Sequence, residues 1–262
     1  MEDLVTYALL GGLGVLVALE ALRPARRLPA IRLWRLSGLI AFAVSFAVSG
    51  LVPVLLDERL AAHQLLDTRG LGVAGGAVVG FLVLELAVYW WHRALHRVPL
   101  LWRWHQMHHS AERLDVYGAM WFHPLDVAGF TLVGSVALVV VLGVRPEAAL
   151  IASGTGTLLA LFQHANLSTP RWLGWIVQRP ESHSVHHQRG VHAFNYSTLP
   201  LWDIMFDTFR NPMSWSVWAE REAGYHDGAS RRILPMLLGR DVTRAGADPA
   251  VNETEPSTPL AA

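Results

Sequence analysis

Residues 71–96 read LGVAGGAVVGFLVLELAVYWWHRALH, and this stretch decides the fold. From Leu71 to Trp91 the only charge is Glu85. A run of about 20 such residues has the length of a helix that crosses a bilayer, where backbone polar groups must be satisfied within the segment itself. The run does not end in a turn. It continues into His92-Arg-Ala-Leu-His96, whose imidazoles stand four residues apart and share one face of a continuing helix. Within the run, Gly72, Gly76 and Gly80 recur at the same spacing, a stripe of small residues that lets a second helix approach closely.

Four other stretches have similar character: Leu4–Leu22, Leu36–Leu56, Leu125–Gly143 and Glu147–Ser168. Of the 262 residues 52% are hydrophobic and only 16% charged, against about 25% in an average soluble domain. The composition argues against a soluble enzyme and a disordered chain, and predicts an all-α integral membrane protein with about four to five transmembrane helices. The 21 basic residues, all arginine, balance 21 acids, so no basic excess points to nucleic acid. There is no cysteine, which excludes disulfides, thiolate metal sites and a cysteine nucleophile.

Arginine in the short loops sets the orientation. Arg23, Arg26, Arg27, Arg32 and Arg35 follow the first span; Arg93, Arg97, Arg103 and Arg113 follow the third. Both segments are expected on the cytoplasmic side, with the N-terminus outside. The fourth and fifth spans, joined at Arg145-Pro146-Glu147, form a hairpin that returns the chain to the cytoplasm. The expected organisation is N-terminal spans and loops over 1–69, a histidine-rich unit with the hairpin over 70–210, a cytoplasmic C-terminal segment over 211–244 and a disordered tail over 245–262. Trp172, Trp175, Trp202, Trp215 and Trp218 suit a polar, aromatic region lying at headgroup depth.

The histidines carry the chemistry. Eight of thirteen fall into three clusters: His92 and His96; His105, His108 and His109; His183, His186 and His187. On helices the second and third clusters, spaced i, i+3 and i+4, each present their imidazoles in one direction. Crowded imidazoles repel one another when protonated and strand their polar atoms when buried. A bound cation removes both problems. Eight imidazoles exceed what one tetrahedral zinc takes and suit a dinuclear centre of iron, zinc or copper. His164, at the inner end of the fifth span, and His123, before Pro124, reach the same edge and are further candidate ligands. His192 follows the third cluster closely and is weighed as a further ligand, but reads rather as an exposed loop residue; His63 and His226 read as lone histidines without a metal. A carboxylate inside a span is expensive and usually functional. Glu85 lies two turns before His92, on one face with Tyr89, His92 and His96, and is expected to accept from a ligand imidazole N–H.

The order H-x3-H, H-x2-H-H, H-x2-H-H around a membrane hairpin resembles the fatty acid hydroxylase/sterol desaturase superfamily. Glu85–His96, Trp104–Ser110, Phe122-His-Pro124, Phe162–Asn166, Ser182–His187, Asn195-Tyr196 and Leu201-Trp-Asp203 carry the likeness, over roughly residues 70–210. Two positions depart from the family pattern: Trp121 stands where arginine is common, and Phe206-Asp207-Thr208 where Phe-Gly-Thr is common. The resemblance implies a membrane-bound non-haem di-iron oxygenase. Such an enzyme uses two iron ions (Fe2+/Fe3+) and O2 to hydroxylate or desaturate an unactivated C–H bond of a lipid. It also implies places around the ligands for Asn166, Asn195 and Asp203. Nothing in the chain resembles a haem, flavin or iron–sulfur domain, so the electrons are expected from a separate donor: a cytochrome b5-like protein, a ferredoxin or a flavoprotein reductase.

Three other readings predict different residues. A membrane zinc hydrolase needs H-E-x-x-H with a general-base Glu, but Arg93 follows His92. A b-type cytochrome needs single histidines at mid-bilayer depth, and these are doublets at one edge. A non-catalytic or zinc-binding protein retaining the fold predicts eroded histidine clusters, and all three are intact.

Overall fold

The computed structural model describes residues 2–215 and 223–244, so Trp218 and the expected tail over 245–262 lie outside the described residues. The described residues are helical and contain no strand, only an isolated bridge between Gln188 and Ala223. Six longer helices come first: α1 (Glu2–Leu22), α2 (Trp34–Ala61), α3 (Gly72–Arg97), α4 (Pro99–His109), α5 (Pro124–Ser135) and α6 (Pro146–His164). Three short ones follow: α7 (Pro180–His186), α8 (Pro200–Met205) and α9 (Ile233–Leu237).

Four segments are long and apolar enough to cross a membrane: Leu4–Leu22, Trp34–Ala61, Arg69–Arg97 and Pro124–Val141. The last is α5 extended by a π-helical stretch, Val136–Val141. The outward faces of α1 and α2 carry Leu10, Val15, Leu39, Phe46 and Val54, each more than half exposed. A surface that apolar is stable against lipid chains and not against water. The four helices fit a multi-pass membrane protein. The fifth apolar stretch also folds as a helix, α6, but Ser, Thr, Gly and Gln dilute it and it is not among the four. It packs on α3 and on α1.

The glycine stripe of α3 explains that packing. A Cβ on Gly76 would stand 3.1 Å from the Cβ of Ala148, and one on Gly80 would stand 3.1 Å from Leu138 and 3.6 Å from Ala152. Leu84, Leu138 and Ala152 close the core between α3, α5 and α6. A second core joins α2, α4 and α9 through Trp34, Ala41, Met107, Met236 and Val242. The C-terminal ends of α3 and α6 and the N-terminal end of α5 therefore meet at one end of the bundle. There α4, α7 and the loop after α7 cover them. All three histidine clusters lie at this end.

Candidate metal centre

The structure gathers nine imidazoles into two groups. One holds His92, His96, His105, His109 and His186, the other His108, His164, His183 and His187; within each group the potential ligand atoms lie within 4.8 Å of one another. These are the eight clustered histidines and His164. Chain neighbours separate: His108 and His109 serve different groups, as do His186 and His187. The groups touch, with the His109 and His187 rings stacked at 4.2 Å between centroids.

Hydrogen bonds to the outer nitrogens orient the ligand nitrogens. His92 Nδ1 donates to the Tyr196 carbonyl at 2.7 Å, His186 Nδ1 to the Phe194 carbonyl at 2.7 Å and His164 Nδ1 to the Ala160 carbonyl at 2.6 Å. His105 Nδ1 donates to Asp126 Oδ2 at 2.8 Å, both side chains fully buried. A carbonyl or carboxylate only accepts, so each of these rings presents a bare lone pair at Nε2.

The consequence is sharpest for His92 and His105. Their Nε2 atoms stand 3.1 Å apart, lone pair against lone pair. With both rings in the neutral form a metal requires, neither has a proton to share, and a cation between them satisfies both lone pairs. A metal about 2.1 Å from each nitrogen, with ligands at right angles, places them roughly 3.0 Å apart. The Nε2 pairs of His108–His164, His164–His183 and His183–His187 measure 3.0, 3.0 and 3.1 Å. Nε2 of His96, His109 and His186 is buried with no hydrogen-bond partner. Burial, with the neighbouring imidazoles, pushes His108, His109, His183, His186 and His187 well below the ordinary histidine range. They are neutral at pH 7, the form a metal requires. The donor set fits a pair of metal ions.

Aromatic rings wall the groups. Phe122 lies flat on His108 at 3.9 Å, Phe130 stands edge-on to His92, and Trp102 lies against His96 and His109.

Other expected residues have different tasks. His123 lies outside both groups. Its Nδ1 accepts from Leu125 N at the start of α5 and its Nε2 meets the Leu237 carbonyl at 3.2 Å, so both nitrogens are engaged in capping the helix and joining it to α9. Glu85 does not bond an imidazole. Its Oε2 accepts from Ser197 Oγ (2.7 Å), Thr198 N (2.9 Å) and Leu199 N (3.2 Å), clamping the loop that carries Tyr196. Asp203 grips the other side, accepting from Tyr196 N and Ser197 N, and burial raises its carboxyl to about 6. Asn195 ties the same loop to the Ser182 and Arg210 carbonyls. Both carboxylates therefore act through the Tyr196 carbonyl that orients His92. Tyr89 bonds Thr208 and Arg93 rather than a ligand. Asn166 holds the backbone of Arg26 in the loop after α1.

Three contributors escaped the sequence reading. Asp126 is the carboxylate partner of His105; its one signal is an acid at the start of an apolar run. His192 is buried rather than exposed, and its Nδ1 stands 3.0 Å from His109 Nδ1. Arg179, fully buried, fixes the start of α7 through Thr169, Asn211 and Pro212 and pairs with Glu181 at 3.6 Å.

The two departures from the family pattern are accommodated. Trp121 is buried, donates to Ser110 Oγ at 3.3 Å and packs on Trp34. Asp207 adopts φ 56, a left-handed conformation natural to glycine. Replacing Asp207 with glycine relieves that conformation. It is expected to raise unfolding stability by about 1 kcal/mol, read as a higher melting temperature with metal content unchanged.

Residues 77–208 match the family model described as fatty acid hydroxylase. The chain is 28% identical over 177 residues to the ornithine lipid hydroxylase OlsE of Rhizobium tropici, covering 66% of this chain and 53% of that protein. It is 30% identical over 145 residues to the alkylglycerol monooxygenase of Xenopus tropicalis, covering 49% of this chain and 29% of that one. To the sphinganine C4-monooxygenase 1 of Arabidopsis thaliana it is 26% identical over 153 residues, 56% of this chain and 58% of that one. The chain thus spans between about a third and somewhat over half the length of these curated relatives. No solved structure matches it. The matched segment runs from α3 through α8 to Thr208 and contains all nine gathered imidazoles, Asp126 and the loop clamped by Glu85 and Asp203; with half of its length matched in this way, the chain belongs to the fatty acid hydroxylase family.

Proposed function

We propose that this protein is a membrane-bound non-haem di-iron oxygenase that hydroxylates or desaturates a lipid. The observation that carries the reading is the pair of imidazole groups, five and four strong, in contact at one end of a membrane bundle. When bound, two iron ions supply the O2 chemistry. Hydroxylation puts one oxygen atom on carbon and releases the other as water, RH + O2 + 2e− + 2H+ → ROH + H2O; desaturation removes two hydrogens and releases both oxygens as water.

The chain's own residues prepare that reaction. Neutral imidazoles hold the ions; Asp126 and the carbonyls of Tyr196, Phe194 and Ala160 fix the ring tautomers. Phe122, Phe130 and Trp102 limit water around the groups. The spans bring a lipid's alkyl chain to the same depth. By the arginine distribution, the metal end faces the cytoplasm and the N-terminus lies outside. The catalytic unit corresponds to residues 70–210, with 211–244 as a cytoplasmic segment. The two electrons come from a separate donor.

The test joins metal analysis to lipid analysis. The purified protein is expected to hold about two irons per chain. A strain without the gene is expected to lack a lipid that differs from its precursor by one oxygen or two hydrogens. One zinc per chain and no iron overturns the reading.

A further inference from the structure

A cavity of about 790 Å³ opens beside the metal end between the loop after α1 and the segment around Asp227. That is the size of a small-molecule site. Three of its walls are anchored within three residues of metal-binding histidines. Asn166, two residues after His164, holds the Arg26 backbone from both sides, donating to its carbonyl at 2.8 Å and accepting from its N–H at 3.1 Å. Glu112 follows His109 by three residues and Arg189 follows His187 by two.

Among the described residues that line it, the cavity carries a surplus of positive charge. Glu112 is consumed internally: it accepts from Gly228 N, Ser230 N and Ser230 Oγ. Asp227 pairs with Arg189 at 3.2 Å. Arg26, Arg27 and Arg231 also line the space, and among the described residues no carboxylate lies within ion-pair distance of any of them, although Glu181 is near enough to favour the charge on Arg26. The Arg26 guanidinium lies 3.8 Å over the Trp215 ring, and its Nε is buried with no hydrogen-bond partner. Burial lowers it to about 10, so it remains a cation at pH 7. A guanidinium held flat on an aromatic ring keeps its remaining N–H groups in a fixed fork, suited to a phosphate or carboxylate. The loop joins two apolar helices, which places the cavity where lipid headgroups lie.

We propose that the cavity lined by Arg26, Arg27 and Arg231 binds the anionic group, phosphate or carboxylate, of a lipid headgroup, and so presents an anionic lipid to the histidine centre. The second half of this statement rests on the oxygenase reading; the first rests on the cavity alone.

The full chain, purified in a non-ionic detergent, is titrated with a phosphatidylglycerol and a phosphatidylcholine of matched acyl chains, and with sodium phosphate as competitor. Native mass spectrometry reads the bound lipid, and metal content is recorded on the same samples. The wild type is expected to retain the anionic lipid in preference to the zwitterionic one. An Arg26→Gln/Arg231→Gln variant is expected to lose roughly thirtyfold in affinity for the anionic lipid. Arg231→Gln alone, at the exposed rim, should lose about fivefold without touching the Trp215 stack. Equal retention of the two lipids, or an anionic preference that survives both substitutions, overturns the proposal. Displacement by millimolar phosphate also overturns the headgroup assignment, since it makes the cavity a free-anion site. If the preference holds while iron is absent, the oxygenase reading fails and the headgroup site stands. If iron is present and the preference is missing, the headgroup site fails alone.

Discussion

Replacing His187 with alanine is expected to leave one tightly held metal ion per chain where the wild type holds two, and replacing His186, its chain neighbour, is expected to remove the other. His187 belongs with His108, His164 and His183; His186 belongs with His92, His96, His105 and His109. The two rings are 5.2 Å apart and inclined at 74°, so the last residue of α7 and the one after it address different ions. Losing a partner around a ligand already costs tenfold to a hundredfold in affinity, and losing the ligand itself costs more. Each single variant, washed with a chelator and measured by elemental analysis, should therefore retain one ion, and His186→Ala/His187→Ala none. Lipid turnover in each single variant should fall below about 1% of wild type, because the chemistry needs both ions. Two ions surviving in both single variants would refute the ligand assignment. Loss of both ions from either one would refute the division into two groups.

The division between two ions is a product of the fold and could not be read along the chain. Composition pointed to the candidate donors: with no cysteine and eight clustered histidines, imidazole was left as the ligand type. Helical periodicity predicted one direction for each cluster; His92 with His96, His105 with His109 and His183 with His187 do share a group, but His108 and His186 each leave their cluster for the other group. It could not show that His108 and His109 diverge, because that depends on which neighbouring helix each imidazole meets. The spans were legible for a similar reason, since a bilayer demands length and apolarity that a sequence displays directly. α6 is the weaker case: Ser, Thr, Gly and Gln dilute its apolar character, and it packs closely on α3 at Gly76 and Gly80.

Glu85 shows where sequence reasoning stops. A carboxylate in a span pointed to function, and its helical face pointed toward His92. Its real partners are Ser197, Thr198 and Leu199, 112 to 114 residues away. Only the fold brings that loop against α3, and only then does Glu85 act on His92, through the Tyr196 carbonyl. The same limit hid His192. A histidine after Gly190 has the local signature of an exposed turn, and its φ of 43 fits one, yet the turn folds inward over His109.

Asp126 is the position where this limit has the largest chemical consequence. It is fully buried, at the first turn of α5, and Oδ2 takes the His105 Nδ1 proton at 2.8 Å. The helix N-terminus favours its negative charge, and a charged acceptor makes the opposite nitrogen, Nε2, a stronger donor to metal. Asp126→Asn keeps an accepting oxygen and removes the charge. The expected result is a tenfold to hundredfold weaker hold on the ion of the five-histidine group, measured by chelator competition. The other half of the bound metal should resist the chelator as in the wild type, because Asp126 bonds no imidazole of the four-histidine group. Asp126→Leu goes further. It strands the His105 N–H in an apolar site, which costs about 1–3 kcal/mol, and it frees the ring to turn, so that ion should be lost outright. A graded series, wild type above Asn above Leu for one ion and flat for the other, is what a charge-assisted hydrogen bond to His105 requires. If Asn matches the wild type and only Leu weakens binding, the charge is irrelevant and Asp126 orients the ring by hydrogen bonding alone. If both ions weaken in parallel, Asp126 supports the end of the bundle and not the ligand.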